Sequence, residues 1–283
     1  MARAGELLAE ATRQLKEADI EAPRLDALLL LSHASGLAVD RLRIDADLEL
    51  PPEAAAGFAA LLERRLEREP VSHLLGRREF WSLEFAVSRD VLDPRPDSET
   101  LIAAVLEQIG DRRADLRLID FGTGSGCLLL TLLHELPNAK GLGIDRSPAA
   151  LAVARTNAVA LGLAARATFR EGDWGRDVDG GFDILISNPP YIESGAIAGL
   201  APEVAKHEPL LALDGGADGL DAYRQLMPDL GRLAAPDALI ALEIGRGQDG
   251  AVAGMLAAAG FGAIAAKPDL AGIVRVLLAC KPR

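Results

Sequence analysis

The stretch R-L-I-D-F-G-T-G-S-G-C-L-L-L-T-L-L, residues 117–133, constrains the fold of this 283-residue chain more than any other. A short apolar run ends at Asp120-Phe121, and three glycines then alternate with small polar residues. An unbroken leucine-rich run follows. Glycine tolerates positive φ and lets the backbone come close to a ligand. A strand that turns through such glycines into a helix is the opening of a βα unit in an open sheet. The rest of the chain from Ser98 repeats the alternation. S-E-T-L-I-A-A-V-L starts a helix with Ser98 as candidate N-cap, and A-K-G-L-G-I-D is a second strand. S-P-A-A-L-A-V-A-R-T-N-A is a helix capped by Ser147 with Pro148 at its first position. A-T-F-R-E-G-D and F-D-I-L-I-S-N read as the third and fourth strands. A-L-I-A-L-E-I-G and G-I-V-R-V-L-L-A-C read as strands around a helix over 249–259. Such alternation predicts an α/β domain over 98–283, a parallel sheet with helices on both faces.

The first part of the chain is built differently. Leu7, Leu8, Ala11, Leu15 and Ala18 recur at helical spacing, Pro23 opens a second helix that Gly36 can close, and Phe58, Leu61, Leu62 and Leu66 share one face of a third. Residues 1–70 are therefore expected to form a small all-helical bundle. Between them and the α/β domain, E-F-W-S-L-E-F-A-V has the aromatic and β-branched content of a hairpin, and D-P-R-P-D makes a stiff loop. Residues 71–97 are expected to be a β-hairpin linker.

Composition narrows the partners. The net charge is −12, and the first 70 residues hold nine basic against fourteen acidic side chains. A general duplex-binding surface needs the opposite balance, so no direct nucleic-acid contact is expected. Cys127 and Cys280 lie far apart, with no metal spacing and no disulfide framework, which fits a reducing cytoplasm and no bound metal. The opening M-A-R-A-G-E-L-L-A-E alternates charge too quickly for a signal peptide. No run of 18 apolar residues lacks charge, so no membrane partner is expected.

Candidate chemistry gathers at strand ends, where open α/β sheets bind ligands. Gly122, Thr123, Gly124, Ser125 and Gly126 form the first turn. A dinucleotide fingerprint would place its third glycine where Cys127 stands, and a phosphate-binding loop would need a Gly-Lys-Ser/Thr ending. Asp145 ends the second strand, where a carboxylate can accept both hydroxyls of a ribose. This pair fits NAD or S-adenosylmethionine. Asp173 and Trp174 follow the third strand as a candidate acceptor and stacking surface for an adenine ring. Asn188-Pro189-Pro190-Tyr191 ends the fourth. Prolines fix φ and remove donors, which leaves acceptors at the pocket. The Asn188 side-chain carbonyl adds another. Two fixed acceptors can grip both hydrogens of an NH2 group, and Tyr191 can stack on a planar amide or base. Such a grip favours a more tetrahedral nitrogen, with its lone pair free to attack a methyl sulfonium, and strengthens as positive charge develops. No general base is required. His207, the nearest histidine in sequence, is read as structural or solvated.

Taken together, P-V-S-H-L-L-G-R-R-E-F-W, D-P-R-P-D-S-E-T, D-F-G-T-G-S-G, S-N-P-P-Y-I, H-E-P-L-L-A-L-D-G-G-A-D-G-L and E-I-G-R-G-Q resemble the protein-(glutamine-N5) methyltransferase family, and within it the bacterial release factor glutamine methyltransferases. The likeness spans nearly the whole chain. It implies a helical domain that helps dock a release factor, a hairpin linker, and a seven-stranded Rossmann-like class I methyltransferase domain. It implies S-adenosyl-L-methionine as cofactor. The substrate it implies is the glutamine of the Gly-Gly-Gln loop of class 1 peptide chain release factors. Carried over by position, residues 122–126, Asp145 and Trp174 would hold the cofactor, Asn188 would touch cofactor and substrate, and Pro189, Pro190 and Tyr191 would hold the glutamine. A monomer is expected. The chain departs from the pattern at Phe121, at Leu92-Asp93-Pro94 and at Val274, where an acid is common. The nearest alternative is a glutamine methyltransferase acting on a ribosomal protein. A nucleic-acid adenine-N6 methyltransferase would share N-P-P-Y, but the acidic charge and the lack of a basic recognition domain oppose it. A non-catalytic binding module is disfavoured because both loop and clamp are intact.

Overall fold

The computed structural model describes residues 2–282. It divides into two compact units, one running to Arg77 and taking in Ala201–His207, the other made of Arg78–Leu200 and the chain from Glu208 onward.

In the first unit the two-residue strands β1 (Ala2–Arg3) and β2 (Glu49–Leu50) pair antiparallel beside α1 (Ala4–Glu17), α2 (Pro23–Ser35), α3 (Val39–Ile44), α4 (Pro52–Leu66) and α5 (Val71–Leu75). Pro23 opens α2 and Gly36, at φ 68°, closes it, as the sequence suggests. Leu15, Leu30, Leu31, Leu42, Phe58 and Leu74 are buried together in its core. Each such side chain contributes about 1.5–3 kcal/mol on burial. The short helices α3 and α5 are not foreseen by periodicity, because one or two turns carry too few apolar repeats.

The second unit opens with a hairpin, β3 (Arg77–Phe80) and β4 (Leu83–Ala86). Phe80 and Phe85 meet edge-on, with centroids 6.2 Å apart, in the same apolar core as the sheet. The chain then forms α6 (Glu99–Gln108), β5 (Arg117–Phe121), α7 (Cys127–Glu135), β6 (Lys140–Asp145), α8 (Pro148–Ala160), β7 (Ala167–Glu171) and β8 (Phe182–Ser187). After it come α9 (Pro202–His207), α10 (Asp221–Leu233), β9 (Ala234–Glu243), α11 (Asp249–Ala258), β10 (Gly262–Pro268) and β11 (Val274–Cys280). Seven strands lie in the order β10-β11-β9-β8-β5-β6-β7. All neighbours pair parallel except β11, which is antiparallel to both β10 and β9. The sheet is thus mostly parallel, as the alternation predicts, and β11 is the exception. A short turn after β10 leaves no room for the crossover helix that a parallel β11 would need.

Successive residues of β8 face opposite sides of the sheet. Ile184 and Ile186 join a core with α6, α7 and α8, while Leu185 joins Tyr223 and Leu226 of α10 and Val252 and Leu256 of α11. Helix α10 is hidden in the sequence by Pro228 and Gly231, yet its apolar face is fully buried. Helix α9 belongs to the first unit. Its Glu203 pairs with Arg68 at 2.9 Å and with Arg65 at 3.0 Å, and the buried Arg65 also binds the buried Asp26 at 2.8 Å.

One buried amide ties the hairpin to the glycine loop. Asn157 of α8, 1 % exposed, accepts from Ala86 N and donates to Ala86 O and to Ser125 O, at 2.7, 3.0 and 2.9 Å. Replacing it strands the buried Ser125 carbonyl and two half-buried backbone groups of Ala86. Asn157→Ala is expected to lower stability by about 2–3 kcal/mol, read as a lower urea midpoint at unchanged slope. A loss below about 0.5 kcal/mol would mean that water replaces the amide.

Candidate active site

Strand order reverses between β5 and β8: β6 and β7 lie to one side of β5, while β8 and β9 lie to the other. That reversal opens a crevice beyond the carboxyl ends of the strands, where open α/β sheets take their ligands. Phe121 pairs with Ser187 and Ile144 with Phe121, so Gly122, Asp145 and Asn188 leave the sheet side by side. The Ser187 hydroxyl donates to Phe121 O at 2.7 Å and locks the two central strand ends together.

A cleft of about 580 Å³ lies there, within the second unit. Gly122, Thr123, Gly124, Ser125, Asp145 and Trp174 line one part of it, with Ser98, Asn188 and Pro190 also in its wall. Gly122 and Gly124 have φ of 71° and 54°, and a Cβ on either would enter open space. Their bare backbone therefore faces room that a ligand can fill. Gly126 serves packing, since a Cβ there would come within 3.1 Å of Leu130. Both oxygens of Asp145 are used once inside the fold: Gly124 N donates to one and Ser147 N to the other, each at 2.9 Å. A carboxylate has about four acceptor positions, so two remain for hydroxyl donors. Ser147 caps α8 by accepting from Ala150 N at 3.1 Å. Beneath the loop, Asp120 is 1 % exposed and accepts from the Thr123 hydroxyl at 2.7 Å. Burial pushes its carboxyl up to about 7.

Other sequence candidates sit differently. Asp173 does not line the cleft. Its carboxylate forms ion pairs with Arg146 at 2.9 Å and Arg176 at 3.8 Å, and with Trp174 it borders a separate cavity of about 340 Å³. Two nearby guanidiniums outcompete a neutral ring as partners for a half-exposed carboxylate. Trp174 does line the cleft, at a left-handed φ of 56°, with its indole N–H held by Gln225 at 3.0 Å. Pro189 is buried, and Tyr191 turns away to donate to Glu243 at 3.4 Å. Burial raises the Tyr191 phenol, which keeps it a donor. Asp93, where the chain departs from the family pattern, is buried between Arg78 and Arg95 at 3.7 and 3.9 Å. Arg95 also holds Glu208 through both carboxylate oxygens, at 2.6 and 2.8 Å.

Several supporting residues escaped the sequence reading. Gln248 donates to Tyr191 O at 3.0 Å and accepts from Gly245 N at 2.9 Å. A Cβ on Gly215 would stand 2.8 Å from Pro190 O, so only glycine lets that strap cross the Asn-Pro-Pro-Tyr turn. Ser98, read as a helix cap, makes no cap bond. Its hydroxyl accepts from Asn188 Nδ2 at 3.3 Å, while Glu243, 1 % exposed, accepts from the Tyr191 hydroxyl. These partners come from distant parts of the chain, and only the blocks D-S-E-T and E-I-G-R-G-Q hinted at them.

A seven-stranded sheet with one antiparallel strand, a glycine loop after its first strand and an acid after its second make this a Rossmann-like class I methyltransferase domain, an S-adenosylmethionine-dependent enzyme fold. Comparisons with known proteins agree. Residues 6–76 match the PrmC N-terminal domain model, and residues 78–207 match the methyltransferase small domain model. A release factor glutamine methyltransferase of Rhodospirillum rubrum is 49 % identical over 97 % of this chain and 84 % of its own length. One from Cereibacter sphaeroides is 45 % identical over 99 % of both chains. Among solved structures, the hMettl16 catalytic domain in complex with a MAT2A 3'UTR hairpin superposes with a TM-score of 0.59 at 16 % identity, covering 77 % of this chain and 81 % of that one. This last likeness concerns the fold alone. The chain belongs to the release factor glutamine methyltransferase family.

Proposed function

We propose that this protein methylates the side-chain amide nitrogen, N5, of the glutamine in the Gly-Gly-Gln loop of class 1 peptide chain release factors, with S-adenosyl-L-methionine as donor. One observation carries the chemistry: the register of β5 and β8 sets the open glycine loop and Asn188 at adjacent strand ends in one cleft. The residues present fit the cofactor. The bare backbone at Gly122 and Gly124 leaves a cradle that a side chain would fill, and Asp145 keeps lone pairs for two ribose hydroxyls. Trp174, Thr123 and Ser125 line the same cleft, and Gly126, packed against Leu130, closes the turn behind it. When bound, the cofactor supplies an electrophilic methyl sulfonium.

The rest of the work belongs to the chain. Asn188 Oδ1 and a carbonyl of the Pro189-Pro190 turn accept the two amide hydrogens of the incoming glutamine and orient its nitrogen. Holding the nucleophilic nitrogen in line with the donor methyl can contribute about 7 kcal/mol or more in ideal cases. The clamp grips hardest as positive charge grows on nitrogen, which is where stabilisation accelerates the step. Tyr191 supports the turn from behind. The helical unit serves in docking the protein substrate, and the enzyme acts in the cytoplasm as a monomer, without nucleic-acid or membrane contact. Among the described residues no helix is long and apolar enough to cross a membrane.

The release factor assignment is supported by the relatives' identity across both units. Incubation with labelled cofactor and, in parallel, purified release factors, ribosomal proteins and DNA tests it. Label in the release factor alone is the expected outcome. Label in a ribosomal protein would keep the chemistry and move the substrate, and label in DNA would overturn the glutamine reading.

A further inference from the structure

Two cavities meet at one hydrogen bond. The cleft of about 580 Å³ and the cavity of about 340 Å³ beside it share two lining residues among those described, Trp174 and Gln225. The Trp174 indole N–H donates to Gln225 Oε1 at 3.0 Å. An indole N–H can only donate, so it is the Gln225 oxygen that faces it. Indole and amide together form the partition between the two spaces.

Trp174 holds a left-handed φ of 56°, a conformation that a non-glycine residue keeps only where its surroundings impose it. Those surroundings are the polar face of α10. Asp229 accepts from Gly175 N at 2.9 Å, and Arg232 donates to Gly175 O at 2.5 Å and to Val178 O at 2.6 Å. Asp229 and Arg232 are themselves paired at 2.7 Å. A Cβ on Gly175 would come within 2.5 Å of Leu233, so only glycine brings the turn this close to the helix. On the other side of Trp174, Asp173 is held by Arg146 at 2.9 Å. These contacts fix the backbone around Trp174, and none of them fixes its ring. Gln225 does that, one turn before Asp229 on the same face of α10. Its side chain is exposed and adds nothing to the core.

We propose that Gln225 is a positioning residue for the cofactor: it holds the Trp174 indole as the wall that closes the base end of the S-adenosylmethionine site. An untethered indole is free to swing about its side-chain torsions toward the neighbouring cavity. A tethered one presents the same surface to each incoming adenine, so the ordering cost is met before binding rather than during it. The inference rests on the reading of Trp174 as the adenine surface. It concerns cofactor binding and leaves the Asn188 clamp out of account.

The test is a double-mutant cycle read by calorimetry with S-adenosylhomocysteine, the demethylated cofactor. Gln225→Leu keeps the size and removes the acceptor, and should weaken binding about three- to tenfold, the range of one hydrogen bond. Gln225→Glu keeps an acceptor oxygen and should stay within about twofold of wild type. Trp174→Phe has no N–H to tether, so adding Gln225→Leu to it should cost nothing further. In turnover the Gln225→Leu loss should fall on the cofactor KM rather than on kcat at saturation. The chain has two tryptophans, so NMR gives two indole N–H signals. That of Trp174 should move and exchange faster with water in Gln225→Leu, while that of Trp81, bonded to Glu135 at 3.0 Å, stays in place. Equal losses from Gln225→Leu in the tryptophan and phenylalanine backgrounds would overturn the tether, and so would full affinity in Gln225→Leu. If wild type binds no S-adenosylhomocysteine, the cofactor reading fails instead, and the two indole signals still decide the tether on the free protein.

Discussion

Asn188→Ala is expected to lower kcat for methyl transfer by about a hundred- to a thousandfold while leaving cofactor affinity within about threefold of wild type. The magnitude is that of removing one preorganised hydrogen-bonding group from the charge that develops in a transition state, about 2.7–4 kcal/mol. The split between kcat and affinity follows from placement. Asn188 leaves the end of β8 and is held from behind by Ser98, while Gly124 and Asp145, which would carry cofactor binding, lie beyond β5 and β6. Alanine removes the side-chain acceptor without disturbing Pro189 and Pro190, whose φ angles are set by their own rings. Single-turnover rates and calorimetry on the same preparation separate the two effects. A variant that turns over normally would remove Asn188 from the clamp. A variant that loses affinity and rate together would make it a cofactor ligand instead.

Asp145→Ala should act on the other term. Its carboxylate organises the loop, accepting from Gly124 N and Ser147 N at 2.9 Å each, and keeps capacity for two ribose hydroxyls. Each charged hydrogen bond to a hydroxyl is worth roughly 1.5–3 kcal/mol, so S-adenosylmethionine affinity should fall by about a hundredfold or more. Asp145→Asn keeps one acceptor oxygen and should lose less. The maximal rate at saturating cofactor should suffer far less than the affinity, the reverse of the Asn188 pattern. Unchanged affinity in Asp145→Ala would take this residue out of the site.

The parts of this site that were legible in the sequence share one property: each is local. Glycine alternation at 122–126, the acid at 145, the Ser147-Pro148 helix start and the strand ending at Asn188 can all be read within a dozen residues, because strand, turn and cap chemistry act over that range. What stayed hidden depends on pairing across the chain. Nothing near Ser98 tells that its hydroxyl meets Asn188 rather than capping the helix it precedes. Asp173 carries the right chemistry for an adenine contact, but Arg146 and Arg176 hold it aside. Strand β10 and the antiparallel β11 blur together because β10 is alanine-rich and half exposed at the sheet edge, where the apolar signal is weakest. E-F-W-S-L-E-F-A-V reads as a hairpin, and β3 and β4 form one over 77–86, although 71–75 of the expected linker is helical. The hairpin's integration with the sheet is not legible, since that depends on Phe80 and Phe85 packing into a core built largely from later residues and on Asn157 reaching back from α8.

Fragment mass spectrometry of a release factor treated with this enzyme and S-adenosylmethionine tests the central claim most directly. A mass gain of one methylene confined to the side chain of the Gly-Gly-Gln glutamine, absent with Asn188→Ala, is the expected result. A methyl group on any other side chain, or on a carbon or oxygen of that residue, would contradict an acceptor clamp built to present an amide nitrogen.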